Sequence, residues 1–535
     1  MMQDHEVAQR CAAAFPIRVH ALCPLTVTMS TKATPLSPLL PQQAFQPLQY
    51  LPDIDVIPRR RGVGRTRRET GTRTRWLIGS VLVLSWVAYS FFTWRTAQVA
   101  AGVFYANVTR VGEESGICPP GIVSHAGHVG LRGDTEDEPK RAFFWYFEAE
   151  HDPQNAPVIL TIGGGPGTSG MLNPMFAQGP CLIVENGTML NPNRWTESFN
   201  LIALDHPIGV GFSYGTHVNN SRSAAIDVYD FLQKFYRLFP HLIGNQFVLS
   251  GGSYGGIYIP HIATVIHEQN LALRAGAVHI NLESMMVSNP VSDAASYYRW
   301  MLQTRCYDVP DMYNASTCAE LFEVLPRCLD SIQLAMQGPG WIVERHVAAH
   351  TACSAIEMGD AHGTVIVDVR KKCYSKDPMG CLPPSFGWAD QFFRRPDVRD
   401  ALGIPAQVNY TILSDQVYQE FVQYGDKIQA AHLLYQPLLA AGIRLLHYVG
   451  EQDANCAWRG VLSFLKLIQS PFQESFLRAP DVPWSEDAAT VRVVGEGAGD
   501  MTYILVRGGG HFVARDQPAL VKSIVEHWVL NVPFV

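Results

Sequence analysis

The chain has 535 residues, 47% of them hydrophobic and only 17% charged, so it can bury a large core and is not disordered as a whole. Its net charge of −7 is unevenly spread: residues 1–75 carry 11 Lys and Arg against 5 Asp and Glu, a net +6, leaving −13 for the remainder. The two parts are built for different surroundings.

Residues 1–75 are rich in Pro, Gln, Thr and Ala, lack sustained periodicity and end in an arginine cluster from Arg59 to Arg75. This reads as a disordered, basic cytoplasmic tail. An uncharged run follows, Trp76 to Trp94. At about 1.5 Å per residue it spans roughly 28 Å, close to the hydrocarbon thickness of a bilayer. Arginines on its N-terminal side and tryptophans at both ends predict one transmembrane signal anchor over 76–94, cytoplasmic N-terminus, with everything beyond it lumenal or extracellular. The alternative is a secretory signal cleaved after Val99-Ala100-Ala101, which would leave a secreted or vacuolar protein. A basic run can also bind nucleic acid, but directly ahead of an apolar segment it reads as a membrane flank, and no nucleic-acid partner is expected.

Five Asn-x-Ser/Thr sequons (Asn107, Asn186, Asn219, Asn314, Asn409) and nine of the eleven cysteines lie beyond the anchor, consistent with export to a glycosylating, oxidising compartment. Six cysteines fall between Cys306 and Cys381 without the paired CxxC spacing of a zinc site and read as disulfides.

From about residue 100 onward the pattern becomes alternating strands and helices, which predicts an α/β sheet. Pro157–Ile162 is an apolar strand stopping at Gly163-Gly164-Gly165-Pro166-Gly167. Phe199–Leu204 repeats the design before Asp205, and 225–239 keeps helical spacing until Pro240. Gln246–Ser250 is a third strand running into Gly251-Gly252-Ser253-Tyr254-Gly255, with a helix from Ile257 to His267. Further strands are expected at Leu282–Val287, Arg444–Val449 and Thr502–Val506. Between about 290 and 383 the rhythm lapses and the cysteines gather, which predicts a disulfide-rich cap insertion.

Gly-x-Ser-x-Gly between strand and helix has the form of a nucleophile elbow. A serine hydroxyl becomes nucleophilic when a histidine takes its proton and a carboxylate orients that histidine. Asp453, three residues past a strand, and His511, just after the last strand, follow in the Ser, Asp, His order of α/β-hydrolases. The Gly163–Gly167 loop after an early strand is placed to supply one amide of an oxyanion hole, and the residue after the nucleophile, Tyr254, the other. The loop has neither the G-x-G-x-x-G nor the lysine of a phosphate cradle. With no H-E-x-x-H and no Cys/His cluster, no metal and no organic cofactor are expected.

From about Ser124 to the C-terminus these residues resemble the serine carboxypeptidase family, fungal-like members included. Phe143-Phe144-Trp145-Tyr146-Phe147-Glu148, Asp152-Pro153-Gln154-Asn155 and Pro157-Val158-Ile159-Leu160 are similar to its aromatic strand and the approach to its oxyanion loop, and Asp205-His206-Pro207-Ile208-Gly209-Val210-Gly211-Phe212-Ser213-Tyr214 to its D-Q-P-x-x-x-G-F-S-Y segment. The resemblance implies an α/β-hydrolase domain over 100–535 with a mostly parallel sheet flanked by helices. It implies Ser253, Asp453 and His511 as the catalytic triad, and Gly165 and Tyr254 as oxyanion amides. Cys456 matches the family's unpaired cysteine near the substrate pocket, leaving eight others for four disulfides of open connectivity.

The family holds the substrate's C-terminal carboxylate with an asparagine ahead of its glycine loop, a glutamate in its elbow and another after the loop. Here those positions are Gly163, Gly252 and Ala177, so Gly163, Gly164 and Gly252 remain as backbone candidates for substrate binding, beside Cys456. Thr168 also replaces a cysteine, so one family bridge should be absent or rewired. The expected activity is a serine-type carboxypeptidase acting through an acyl-enzyme on Ser253. The altered pocket keeps open an esterase, amidase or acyltransferase taking a small acyl substrate, and a non-catalytic binding protein remains a minor alternative.

Overall fold

A computed structural model describes residues 104–359, 361, 363–375 and 381–535. The basic tail and the apolar run 76–94 lie outside the described residues; among those described, no helix is long and apolar enough to cross a membrane.

The strands are β1 (Ala106–Val111), β2 (Ser124–Gly130), β3 (Lys140–Phe147), β4 (Val158–Ile162), β5 (Cys181–Val184), β6 (Gly187–Leu190), β7 (Asn200–Leu204), β8 (Tyr214–Gly215), β9 (Phe247–Gly252), β10 (Leu282–Ser288), β11 (Arg444–Gly450), β12 (Val482–Trp484), β13 (Ala489–Val494) and β14 (Met501–Val506). One sheet runs β1-β2-β3-β7-β4-β9-β10-β11-β14-β13-β12, with β8 added to β3, and β5-β6 form a separate hairpin. Its centre, β7-β4-β9-β10-β11-β14, is parallel. Both edges are antiparallel.

The central strands read as unbroken apolar runs because both faces are covered. In β3, Phe144 and Tyr146 point into one core with the helices Ser221–Leu238 and Gly255–Leu271, while Phe143, Trp145 and Phe147 point into the other with Pro518–Val529. Asn220 caps the first of these helices by accepting from the Ser223 amide, so it begins four residues ahead of the expected 225.

All six predicted strands are present to within a residue or two. The strands β1, β2, β8, β12 and β13 and the β5-β6 hairpin were not foreseen. Between β10 and β11 the described chain adds no strand; it forms helices including Ala294–Gln303, Ala315–Ala335 and Val343–Glu357. Disulfides Cys306–Cys318, Cys328–Cys353 and Cys373–Cys381 lie there, Cys118–Cys181 joins the β5 end to the segment before β2, and Cys456 is free. Four bridges and one thiol agree with the count inferred from the resemblance.

Candidate active site

The parallel strands β4, β9, β10, β11 and β14 all end on one side of the sheet, the side on which sites form in open α/β folds. Ser253 directly follows β9 with φ 57°, a left-handed conformation that a serine holds only when its surroundings impose it. Three hydrogen bonds do so: the Ser253 amide donates to the Ser288 carbonyl at 3.0 Å, and the Ser253 carbonyl accepts from the amides of Gly256 (3.0 Å) and Val291 (2.9 Å).

Asp453 is buried three residues past β11. Its Oδ2 accepts from His511 Nδ1 at 2.6 Å and from Asn289 Nδ2 at 2.7 Å. Its Oδ1 accepts from the amides of Asn455 (2.8 Å) and Cys456 (3.1 Å). The carboxylate is thus satisfied on both oxygens and fixed in plane. Burial alone would push the His511 imidazole down, but the charge and hydrogen bond of Asp453, helped by the Cys456 thiol, hold it well above the ordinary histidine value. Burial pushes the Cys456 thiol up, with His511 opposing. Asp453, Cys456 and His511 also form the grouping with metal-ligand spacing among the described residues, their ligand atoms within 4.8 Å of one another. The four bonds already made by Asp453 account for that closeness.

The Gly163–Gly167 loop packs against the elbow. A Cβ on Gly164 would stand 2.8 Å from both the Ser253 Cβ and the Gly252 carbonyl, and 3.2 Å from the Tyr254 nitrogen, so only glycine lets the two backbones approach this closely. The amides of Gly165 and Tyr254 donate to no acceptor among the described residues. Thr168 forms no disulfide. The loop is instead pinned by backbone bonds from Ser169 to Ile412 (3.0 Å) and from Ser414 to Gly167 (2.8 Å). Asp205 fixes its far end, accepting from Ser169 Oγ (2.6 Å), the Gly170 amide (2.9 Å) and the Phe212 amide (2.8 Å).

At Gly163 a Cβ would meet the Thr168 carbonyl at 2.1 Å, and at Gly252 it would meet the Ser288 Oγ at 2.6 Å. Ala177 is buried in the turn Pro174–Gln178. No polar side chain projects from any of the three.

Two contributing residues escaped the sequence reading. Asn289, itself at φ 41°, bridges Asp453 and the Gly450 amide (3.1 Å). Asp426, fully buried, accepts from the Tyr254 hydroxyl at 2.8 Å across 172 residues, and from the amide (3.0 Å) and hydroxyl of Ser221. Burial pushes its carboxyl up, those hydrogen bonds opposing. Neither residue sits in a motif, and no periodicity marks it.

A parallel sheet with a strained serine after one strand, and a carboxylate and histidine paired after later strands, defines an α/β-hydrolase. The chain belongs to the serine carboxypeptidase family, whose sequence profile matches residues 118–531. It is similar to the carboxypeptidase Y homolog A of Botryotinia fuckeliana, 30% identical over 404 residues, 74% of this chain and 71% of that one. It is equally similar to the carboxypeptidase Y of Komagataella phaffii, 30% identical over 404 residues and 74% of each chain. Among solved structures, a prohormone-processing carboxypeptidase from Saccharomyces cerevisiae shares its fold, with a TM-score of 0.65 at 22% identity over 79% of this chain and 93% of that one. As a family member the chain is a serine-type carboxypeptidase, a hydrolase of peptides.

Proposed function

We propose that Ser253, His511 and Asp453 release C-terminal residues from peptides by acyl transfer. Ser253 Oγ attacks the carbonyl of the last peptide bond as its proton passes to His511 Nε2, the ring nitrogen that does not bond Asp453. The amides of Gly165 and Tyr254 receive the developing oxyanion. His511 then protonates the leaving amine, the C–N bond breaks, and an ester on Ser253 remains. Water attacks that ester, returning its proton through His511 and freeing the shortened peptide.

What supports these roles is the Asp453–His511 bond at 2.6 Å on the same sheet edge as a strained Ser253 overlain by Gly164. Cys456, held beside His511, would line the substrate pocket, and Gly163, Gly164 and Gly252 would meet the substrate's end through backbone. The helices after β10 would cap this pocket over residues 290–383. A peptide substrate is favoured over the esterase or acyltransferase alternatives by family membership.

The 76–94 run would anchor the domain, residues 100–535, on the lumenal or extracellular side, with 1–75 in the cytoplasm. The four disulfides suit an oxidising compartment, and all five sequon asparagines are exposed, as glycosylation requires. The activity is tested by following release of the last amino acid from an N-blocked dipeptide. Wild type should release it, Ser253→Ala should not, and a fluorophosphonate should label wild type alone. Cleavage unaffected by Ser253→Ala would refute the assignment.

A further inference from the structure

A carboxypeptidase must recognise a free carboxylate one residue beyond the bond it cuts, so a donor is needed within one residue's reach of Ser253. The elbow and the glycine loop laid against it offer none from side chains at Gly163, Gly164 and Gly252, which have no side chain. One hydroxyl does stand there. Ser288 ends β10, in register with Gly252 of β9 on one side and Tyr448 of β11 on the other. Its carbonyl accepts the Ser253 amide at 3.0 Å, which makes it an immediate neighbour of the nucleophile. Its Oγ lies 2.6 Å from the point where a Cβ on Gly252 would stand, so the hydroxyl occupies the volume an elbow side chain would enter. Met285, Met286 and Val287 before it are buried, whereas Ser288 is only half-buried. Tyr448 stands beside it on the neighbouring strand. A hydroxyl carries one donor and two acceptor sites, so the Ser288 hydroxyl can turn its proton to an arriving carboxylate and still accept from a neighbour.

We propose that the Ser288 hydroxyl is a specificity-determining group that donates to the C-terminal carboxylate of the peptide, in the place vacated by a side chain at Gly252. A carboxylic acid in that place would donate only while protonated, and its grip would fade as pH rises. A hydroxyl does not titrate in this range, so selectivity for the free carboxylate persists from acid to neutral pH. This rests on the carboxypeptidase role assigned to Ser253.

The test compares N-blocked dipeptides ending in a free carboxylate with the same dipeptides ending in an amide, for wild type and Ser288→Ala, at pH 5 and pH 7. Wild type should keep the same preference for the free acid at both pH values. Ser288→Ala should lower the ratio of free-acid to amide kcat/KM by about ten- to a hundredfold, mainly through KM, as loss of a hydrogen bond to a charged group does. The proposal is overturned if that ratio is unchanged, if both substrates decline alike, or if the wild-type preference disappears between the two pH values. Wild type turning over the amide but never the free acid would sink the carboxypeptidase role itself, a result distinct from those three.

Discussion

Asn289 donates from Nδ2 to Asp453 Oδ2 at 2.7 Å, on the same oxygen that receives His511. Its own Oδ1 is held by the Gly450 amide at 3.1 Å, so the side chain is braced between the ends of β10 and β11. A carboxylate orients an imidazole only if it is itself held still. Replacing Asn289 by Ala removes one hydrogen bond to a charged group and should lower kcat by about tenfold with little change in KM. Steady-state kinetics decide it; equal loss in kcat and KM effects, or none, would show that Asn289 only fills space.

The raised His511 pKa has a defined sign. Only the neutral imidazole accepts the Ser253 proton, so the acid limb of kcat/KM marks His511 deprotonation and lies above the ordinary histidine value. Asp453→Asn removes the charge that holds the imidazolium. The His511 titration, followed by NMR, should then move to lower pH while kcat falls by roughly 10³- to 10⁴-fold. A titration that stays put would mean that Asp453 does not set it.

Much of this architecture is legible in the sequence because the parallel core strands carry the strongest signal. β4, β9 and β14 are short apolar runs stopped by glycines, and the elbow, the loop and His511 sit at those stops. β1 escapes because an edge strand, covered less fully, mixes polar and apolar residues, as in Ala106–Val111 with its Asn, Thr and Arg. Asn289 and Asp426 escape for another reason. Asn289-Pro290 and Gly425-Asp426 look like ordinary turns, and their partners, Asp453 and Tyr254, lie 164 and 172 residues away. Ser288 is visible only once β9 and β10 are side by side.

Tyr254 lends its amide to the oxyanion in the mechanism proposed above, and its ring is held at the far end by Asp426 (2.8 Å). In that mechanism Asp426 would act as a positioning residue. Tyr254→Phe keeps the amide and the buried ring while removing the hydroxyl bond. It should lower kcat several-fold and weaken a peptidyl aldehyde, which mimics the tetrahedral state, in parallel, leaving KM near its wild-type value. Asp426→Asn should do the same and also lower stability by about 1–3 kcal/mol, because an amide matches the donors from Ser221 poorly. Reduced stability with kcat and aldehyde affinity intact would leave Asp426 a purely structural group.

Asp205 couples the end of the glycine loop to the Phe212 backbone, and burial pushes its carboxyl up to about 6 against the opposing hydrogen bonds from Ser169, Phe212 and Gly170. The unfolded chain holds an aspartate near its ordinary value of about 3.9. Between these two values the folded state binds the proton that the unfolded state has released. Stability therefore falls as pH rises through about 4 to 6, by roughly 2–3 kcal/mol once the carboxyl is fully ionised. Urea unfolding should accordingly give a higher midpoint at pH 5 than at pH 7. In Asp205→Asn, which cannot ionise, that part of the pH dependence should vanish, although an amide nitrogen turned toward the Gly170 or Phe212 amide lowers stability at every pH. A variant whose midpoint changes between pH 4 and 6 as much as wild type would assign the effect to other carboxyls.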